Sequence, residues 1–244
     1  MVLYAFLCIA AAVFIGGLGV RIWAYAATPV PLRIPVTPAP LTRSGVVMRL
    51  FWEVVLFRSL FNASKWTWLF GWAFHATLLF VLLTHLRYFV QPAWMWLGLV
   101  QDLGGYAGLA MVAALVALAG RRLFVPRISA VTAPSDYLAL ALLIAIGLSG
   151  LAMKFVFHTD IVAVKAFALG LVYLDPQPLP LDPFLIIHLS LVAVLLVVFP
   201  FSKLLHGAAL FFNPTRNQPD DLRESRYAPR ITRNGVPAAR SDTA

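Results

Sequence analysis

Cysteine is all but missing from this chain: Cys8 stands alone in 244 residues. One thiol excludes a disulfide framework, a cysteine zinc site, a covalently attached c-type haem and a four-cysteine iron–sulfur cluster of the chain's own. Charge is scarce as well. Charged residues make up 12% of the sequence, about half the share of a soluble globular domain. Acidic residues are the scarcest, ten against nineteen lysines and arginines, for a net charge of +9. That excess does not point to nucleic acid, because the arginines gather in a few loops beside apolar runs, which is the pattern of membrane topology. No internal repeat is visible.

Apolar side chains are what the sequence has in quantity, 61% of it, with a mean hydropathy of +0.85. At ~20 residues per helical span, the length accommodates five or six spans with short loops. Five long apolar segments predict an all-α membrane protein, a five-transmembrane-helix bundle with spans at about 3–26, 66–90, 104–120, 136–157 and 183–212. The third is short and glycine-rich (Gly104, Gly105, Gly108), which suits close helix packing. A shorter apolar piece, 161–174, carries Lys165 and runs into DPQPLPLDP; its length predicts an interfacial or re-entrant helix. Ala24-Tyr25-Ala26 mimics a signal cleavage site, but no basic residue precedes the apolar run and Arg21 follows it, so the first segment is read as a retained helix.

Sixteen of the nineteen lysines and arginines fall in the first connection, the third connection and the C-terminal region, leaving Arg87, Lys154 and Lys165 on the other face. The positive-inside rule then places the N-terminus outside and the C-terminus in the cytoplasm, here of a bacterial inner membrane. The chain divides into a transmembrane domain, 1–212, containing a cytoplasmic linker at 28–65, and a tail, 213–244. Five prolines make 28–45 an extended connection. Residues 46–62 read as an amphipathic helix at the inner surface. The polar tail has no core of its own and is expected to lie on a partner, through Arg216, Arg223 and Arg226, or to remain disordered.

The apolar runs hold four histidines, His75 and His85 in the second span, His188 and His206 in the fifth. A histidine inside a bilayer costs free energy unless something binds it, and intramembrane ionisable groups mark functional sites. The second span runs inside to outside and the fifth returns, so pairing by depth matches His75 with His206 and His85 with His188. Each pair can supply two axial ligands to a haem iron held between helices two and five. Ten residues rise ~15 Å and eighteen ~27 Å, a mismatch that tilt and a kink at Pro200 can absorb. The reading is a di-haem b-type cytochrome exchanging electrons with membrane quinone. Set against it are four histidines that merely hydrogen-bond neighbouring carbonyls, or a non-haem anchor or transporter. A transporter would ordinarily add membrane-embedded carboxylates, and here the acidic residues lie near span ends or in the tail. Arg87, Lys154 and His158 are candidate quinone contacts on the outer side. Equally, Arg87 and Lys154 can snorkel or pair with haem propionates, and His158 can be an ordinary interfacial histidine. Arg121, Arg122 and Arg127 either face inner haem propionates, meet a partner's acids or only set topology.

The ten- and eighteen-residue histidine intervals, with the blocks RRLFVPRISAVTAPSDYLAL and VVFPFSKLLHG, resemble the gamma subunit of respiratory nitrate reductase over most of residues 50–210. The resemblance implies two haem b groups, the inner on His75 and His206 and the outer on His85 and His188. It further implies menaquinone or ubiquinone as exchangeable substrate, and a cytoplasmic iron–sulfur subunit within a larger membrane redox complex, with the chain expected to act only within that complex. The proline-rich linker and the tail NPTRNQPDDLRESRYAPR depart from that pattern. They look more like the DsrM subunit of the DsrMKJOP membrane complex of sulfur metabolism, whose iron–sulfur partner is related to heterodisulfide reductase. A nitrate reductase gamma subunit is the alternative.

Overall fold

The computed structural model describes residues 1–29, 38–92, 94–101 and 103–220, and helix is the only regular structure among them. In chain order the α-helices are α1 (Val2–Ala27), α2 (Arg43–Leu56), α3 (Arg58–Ala63), α4 (Lys65–His85), α5 (Met95–Gln101), α6 (Leu103–Phe124), α7 (Pro126–Ser129), α8 (Pro134–Ala152), α9 (Ile161–Tyr173), α10 (Pro183–Val198), α11 (His206–Phe212) and α12 (Pro214–Asn217). Five stretches are long and apolar enough to cross a membrane: Val2–Ala27, Lys65–Tyr88, Leu103–Phe124, Pro134–Phe157 and Pro183–Phe201. The chain is an all-α, five-span, multi-pass membrane protein.

Polar side chains at the ends set where the helices begin. Ser64 accepts from the Thr67 amide to open α4, and Asp160 accepts from Val162 and Ala163 to open α9. Asp182 accepts from Phe184 (2.8 Å) and Leu185 (3.3 Å), with Pro183 in the first turn of α10, where a missing N–H costs nothing. The Thr159 hydroxyl donates to the other Asp182 oxygen. That bond first, and the two amides after it, hold the Asp182 carboxyl below its ordinary range. The stabilisation is therefore complete above the ordinary carboxylate pKa and fades as acid protonates the folded-state group. Asp182→Ala is expected to cost about 1 kcal/mol, read as a lowered melting temperature in detergent at neutral pH, with the difference from wild type shrinking in acid.

The spans pack in a row that curves back on itself, so that His188 of α10 comes to face His85 of α4. α4 lies along α6, α6 along α8, α8 along α10, and α10 along α1. Leu7 and Ala10 of α1, Phe167 of α9 and Ala193 of α10 form the buried cluster on the α1 side. Bare backbone permits close approach at several glycines, Gly104 and Gly147 among them. A Cβ on Gly104 would sit 2.9 Å from Thr84 Cγ2, and one on Gly147 would sit 2.5 Å from Val112 Cγ2. The short apolar segment 161–174 forms α9, thirteen residues, too short to span.

Three features differ from the expectations. The fifth span ends at Phe201 rather than continuing to 212. Pro200 has no N–H to give and crowds the carbonyl one turn back; Ser202 is extended (φ −116°, ψ 171°). A 3₁₀ turn, Lys203–Leu205, then restarts the chain into α11, so His188 and His206 do not ride on one continuous α-helix. The amphipathic stretch 46–62 is two helices, broken at Phe57 (φ 49°, ψ 45°). The corner is clamped by indole donation from Trp68 to the Leu56 carbonyl (2.7 Å) and from Trp72 to that of Val55 (2.9 Å). The tail, as far as it is described, lies on its own chain: Arg216 pairs with Glu53 at 3.0 Å and the Asp220 amide donates to Pro40. Arg223 and Arg226, and residues 30–37 of the proline-rich connection, lie outside the described residues.

Candidate functional site

α4 presents His75 and His85 on unbroken helix, in a span otherwise almost free of charge. The ring of His75 faces that of His206 with centroids 5.8 Å apart and planes at 89°. The ring of His85 faces that of His188 at 6.5 Å and 17°. The structure thus brings the four histidines together in two pairs, in the order that depth alone dictates.

The hydrogen bonds around them fix more than position. His75 Nδ1 lies 2.7 Å from the Gly71 carbonyl, and His85 Nδ1 lies 2.7 Å from that of Val81. His206 Nδ1 lies 3.0 Å from the Lys203 carbonyl. A carbonyl only accepts, so in each case Nδ1 carries the proton and donates. His188 Nδ1 meets the Ser149 hydroxyl at 2.9 Å. That hydroxyl gives its own proton to the Ile146 carbonyl (2.9 Å), which leaves it a lone pair to accept from His188. His75, His85 and His206 are therefore the tautomer with a bare Nε2, and His188 joins them when Ser149 gives its proton to Ile146; this is the state of a metal-binding histidine whose other nitrogen is tied to an outer partner.

The spacing fits a shared ion. With metal–nitrogen bonds of about 2.0–2.1 Å, two imidazoles on opposite sides of one ion have centroids about 6.3 Å apart. The observed values lie on either side of that. Each pair offers two ligands only, and no group of three or more His, Cys, Asp or Glu ligands occurs among the described residues. Two facing imidazoles are a donor set that a haem iron could take.

Several contacts around the pairs escape sequence reading. Phe57, in the left-handed conformation, sets its ring edge-on to His75 at 5.0 Å. A Cβ on Gly150 would lie 3.4 Å from His188 Cε1, so the bare glycine lets the ring approach α8. The adjacent small pair Ser149-Gly150, two residues after Gly147, is the signal that could have flagged this wall. The candidate quinone residues are less gathered. Arg87 lies over the Tyr88 ring (5.3 Å), itself 5.9 Å from His85. The Lys154 stem crosses Gly105 and its amine donates to the Gln101 carbonyl at 3.3 Å. His158 follows a π-helical turn, Met153–Phe157, at φ 50°. Among the described residues no hydrogen bond or ring contact joins these three. At the opposite end, Arg121 donates to Thr67 (3.2 Å) and Arg122 to Thr132 (3.4 Å), so both are engaged in joining span ends.

Residues 59–216 match the pattern of the nitrate reductase gamma subunit, a stretch that holds all four histidines. Two curated relatives are similar over nearly the whole chain. Both are described as an Hdr-like menaquinol oxidoreductase cytochrome b-like subunit. The one from Archaeoglobus fulgidus is 33% identical over 90% of this chain and 80% of its own length. That from Archaeoglobus profundus is 32% identical over 98% of this chain and 87% of its own.

Proposed function

Because this chain belongs to the nitrate reductase gamma subunit family, as an Hdr-like cytochrome b membrane subunit homologous to DsrM-type subunits, we propose that it carries two b haems and passes electrons between membrane quinol and a cytoplasmic iron–sulfur partner. The coarser statement holds without the haems: it is a membrane electron-transfer subunit of a quinone-linked redox complex of Hdr or Dsr type, not an enzyme by itself. The observation that carries the finer one is the pair of facing imidazole couples, each with Nδ1 committed and Nε2 free.

His75 and His206 would hold the inner haem, His85 and His188 the outer. The bound haems supply one-electron chemistry that no side chain of this sequence can. The protein's own work is to orient the ligands. Carbonyls of Gly71, Val81 and Lys203 and the hydroxyl of Ser149 raise imidazole basicity and fix ring direction. Arg87, Lys154 and His158 are the polar groups at the outer end available to a quinone headgroup, and protons released there would leave on the outer side. The charge bias supports an N-terminus outside and a C-terminus in the cytoplasm. Both relatives are archaeal, so what stands of the bacterial inner-membrane expectation is a multi-pass membrane protein. Residues 1–212 then form the cytochrome domain, with 213–244 as its cytoplasmic tail. The relatives' match runs through the first span and the tail, where the gamma pattern does not, and this favours the Hdr-like, sulfur-linked reading over nitrate reduction. The relatives' names point to menaquinol as the reductant.

The test is a dithionite-reduced minus oxidised spectrum of the detergent-extracted protein with a pyridine haemochrome assay. Two b haems per chain are expected. Folded protein without haem would restore the anchor or transporter.

A further inference from the structure

Three of the four histidines need little help to hold direction. His75 and His85 sit on one unbroken helix and each donates to the carbonyl four residues back; His188 sits on unbroken α10 and donates across to α8. His206 is different. It follows the break at Pro200 and Ser202, so α10 does not dictate where its ring points. Its outer partner, the Lys203 carbonyl, belongs to the same 3₁₀ turn and would swing with it.

That turn is tied down from outside. Lys203 Nζ meets Asp136 Oδ2 at 2.9 Å. The Asp136 carboxylate, only 12% exposed, is itself fixed at the start of α8, where the same oxygen accepts from the Ala133 amide at 3.0 Å. Leu205 is buried and the Ser202 hydroxyl accepts from the Leu204 amide; α11 packs on α1 beyond the turn, and among the described residues neither Ser202 nor Leu205 makes a side-chain hydrogen bond to another span. Asp136 lies in the block RRLFVPRISAVTAPSDYLAL and Lys203 in VVFPFSKLLHG. This ion pair links the two stretches.

We infer that Asp136 and Lys203 are positioning residues for His206: the ion pair anchors the turn to α8, the Lys203 carbonyl orients the imidazole, and inner-haem retention depends on both. The inference rests on the di-haem reading. An exposed lysine ion pair ordinarily contributes little to stability, and Lys203 is 70% exposed. Its loss should therefore spare the fold and be felt at the ligand it steers.

The experiment uses the full-length haem-loaded protein. Spectra and midpoint potentials of His206→Ala and His188→Ala first identify the inner and outer signals. Asp136→Asn keeps an acceptor for the Ala133 amide but removes the charge; Lys203→Met removes the ammonium. Each is expected to weaken inner-haem retention by up to about 10-fold, below the 10–100-fold of losing the outer partner itself because the Lys203 carbonyl remains, or to shift the inner potential, with the outer signal unchanged. The double variant should be no worse than either single change, since the two act as one device, and Lys203→Arg should restore the wild-type signal. If Asp136→Asn does not fold, the Lys203 pair of variants decides. Wild-type inner signals in Lys203→Met, equal loss of both haems, or additive effects in the double variant would overturn the inference while leaving the di-haem reading intact. A folded wild-type chain without two haems would remove both.

Discussion

Alanine at His206 or at His75 is expected to remove one and the same haem, and alanine at His85 or His188 the other. Each single variant should retain one b haem per chain instead of two, and each should stop electron delivery from quinol to the cytoplasmic end. The reason is geometric. The 5.8 Å and 6.5 Å centroid separations set two imidazoles against each other at each pair, so on the di-haem reading one substitution would remove half of a haem's protein ligands. The pattern of loss is the strong part of the expectation: four variants must fall into two classes of two. Haemochrome stoichiometry and low-temperature difference spectra read it directly. Should His75→Ala and His188→Ala delete the same signal, the pairing is wrong. A milder companion is Ser149→Ala, which strips His188 of its acceptor and should loosen the outer haem alone.

Leucine at Gly147 should do more general damage. The first added carbon would already lie 2.5 Å from Val112 Cγ2 and 3.3 Å from Met111 Cε, closer than packed atoms tolerate. Overpacking of this kind costs about 1–3 kcal/mol when neighbours can yield, and more when they cannot. Here α8 must move off α6. Ser149 and Gly150, which line His188, follow within one turn, so the outer signal should fall further than the inner while the melting temperature drops. Gly16→Leu is the control, since nothing lies within 4 Å of a Cβ there. Equal behaviour of the two variants in thermal melts and spectra would show that the α6–α8 contact is not as tight as the geometry states.

Hydropathy and length made the five spans legible, because a bilayer imposes one period and one length on any helix that crosses it. Which histidines face one another was legible too, since antiparallel spans order their residues by depth. The break after α10 was half legible: Pro200 announces a kink, but only the extended Ser202 shows that the helix stops. The outer partners were not legible. Gly71 and Val81 act through carbonyls, which every residue has, and Ser149 is thirty-nine residues from the ring it meets. Arg216 shows another limit. Composition offered it to a partner, and its pairing within the chain was not legible: it meets Glu53, a carboxylate with 9% exposure that also holds the amide and hydroxyl of Ser59.

The row of spans also sets a timetable. α4, α6 and α8 can each lean on the helix made just before, but α1 finds its partner only when α10 arrives. The imidazoles of α4 likewise wait, His85 for His188 and His75 for His206, more than a hundred residues later in each case. At usual rates of synthesis that is roughly 5–20 s of an inserted but incomplete bundle. The last span to emerge closes both faces at once, against α1 on one side and toward the waiting histidines on the other. On the di-haem reading, the two histidine pairs would stay open sideways between helices until the end of translation, so a flat prosthetic group would need no threading through a finished fold.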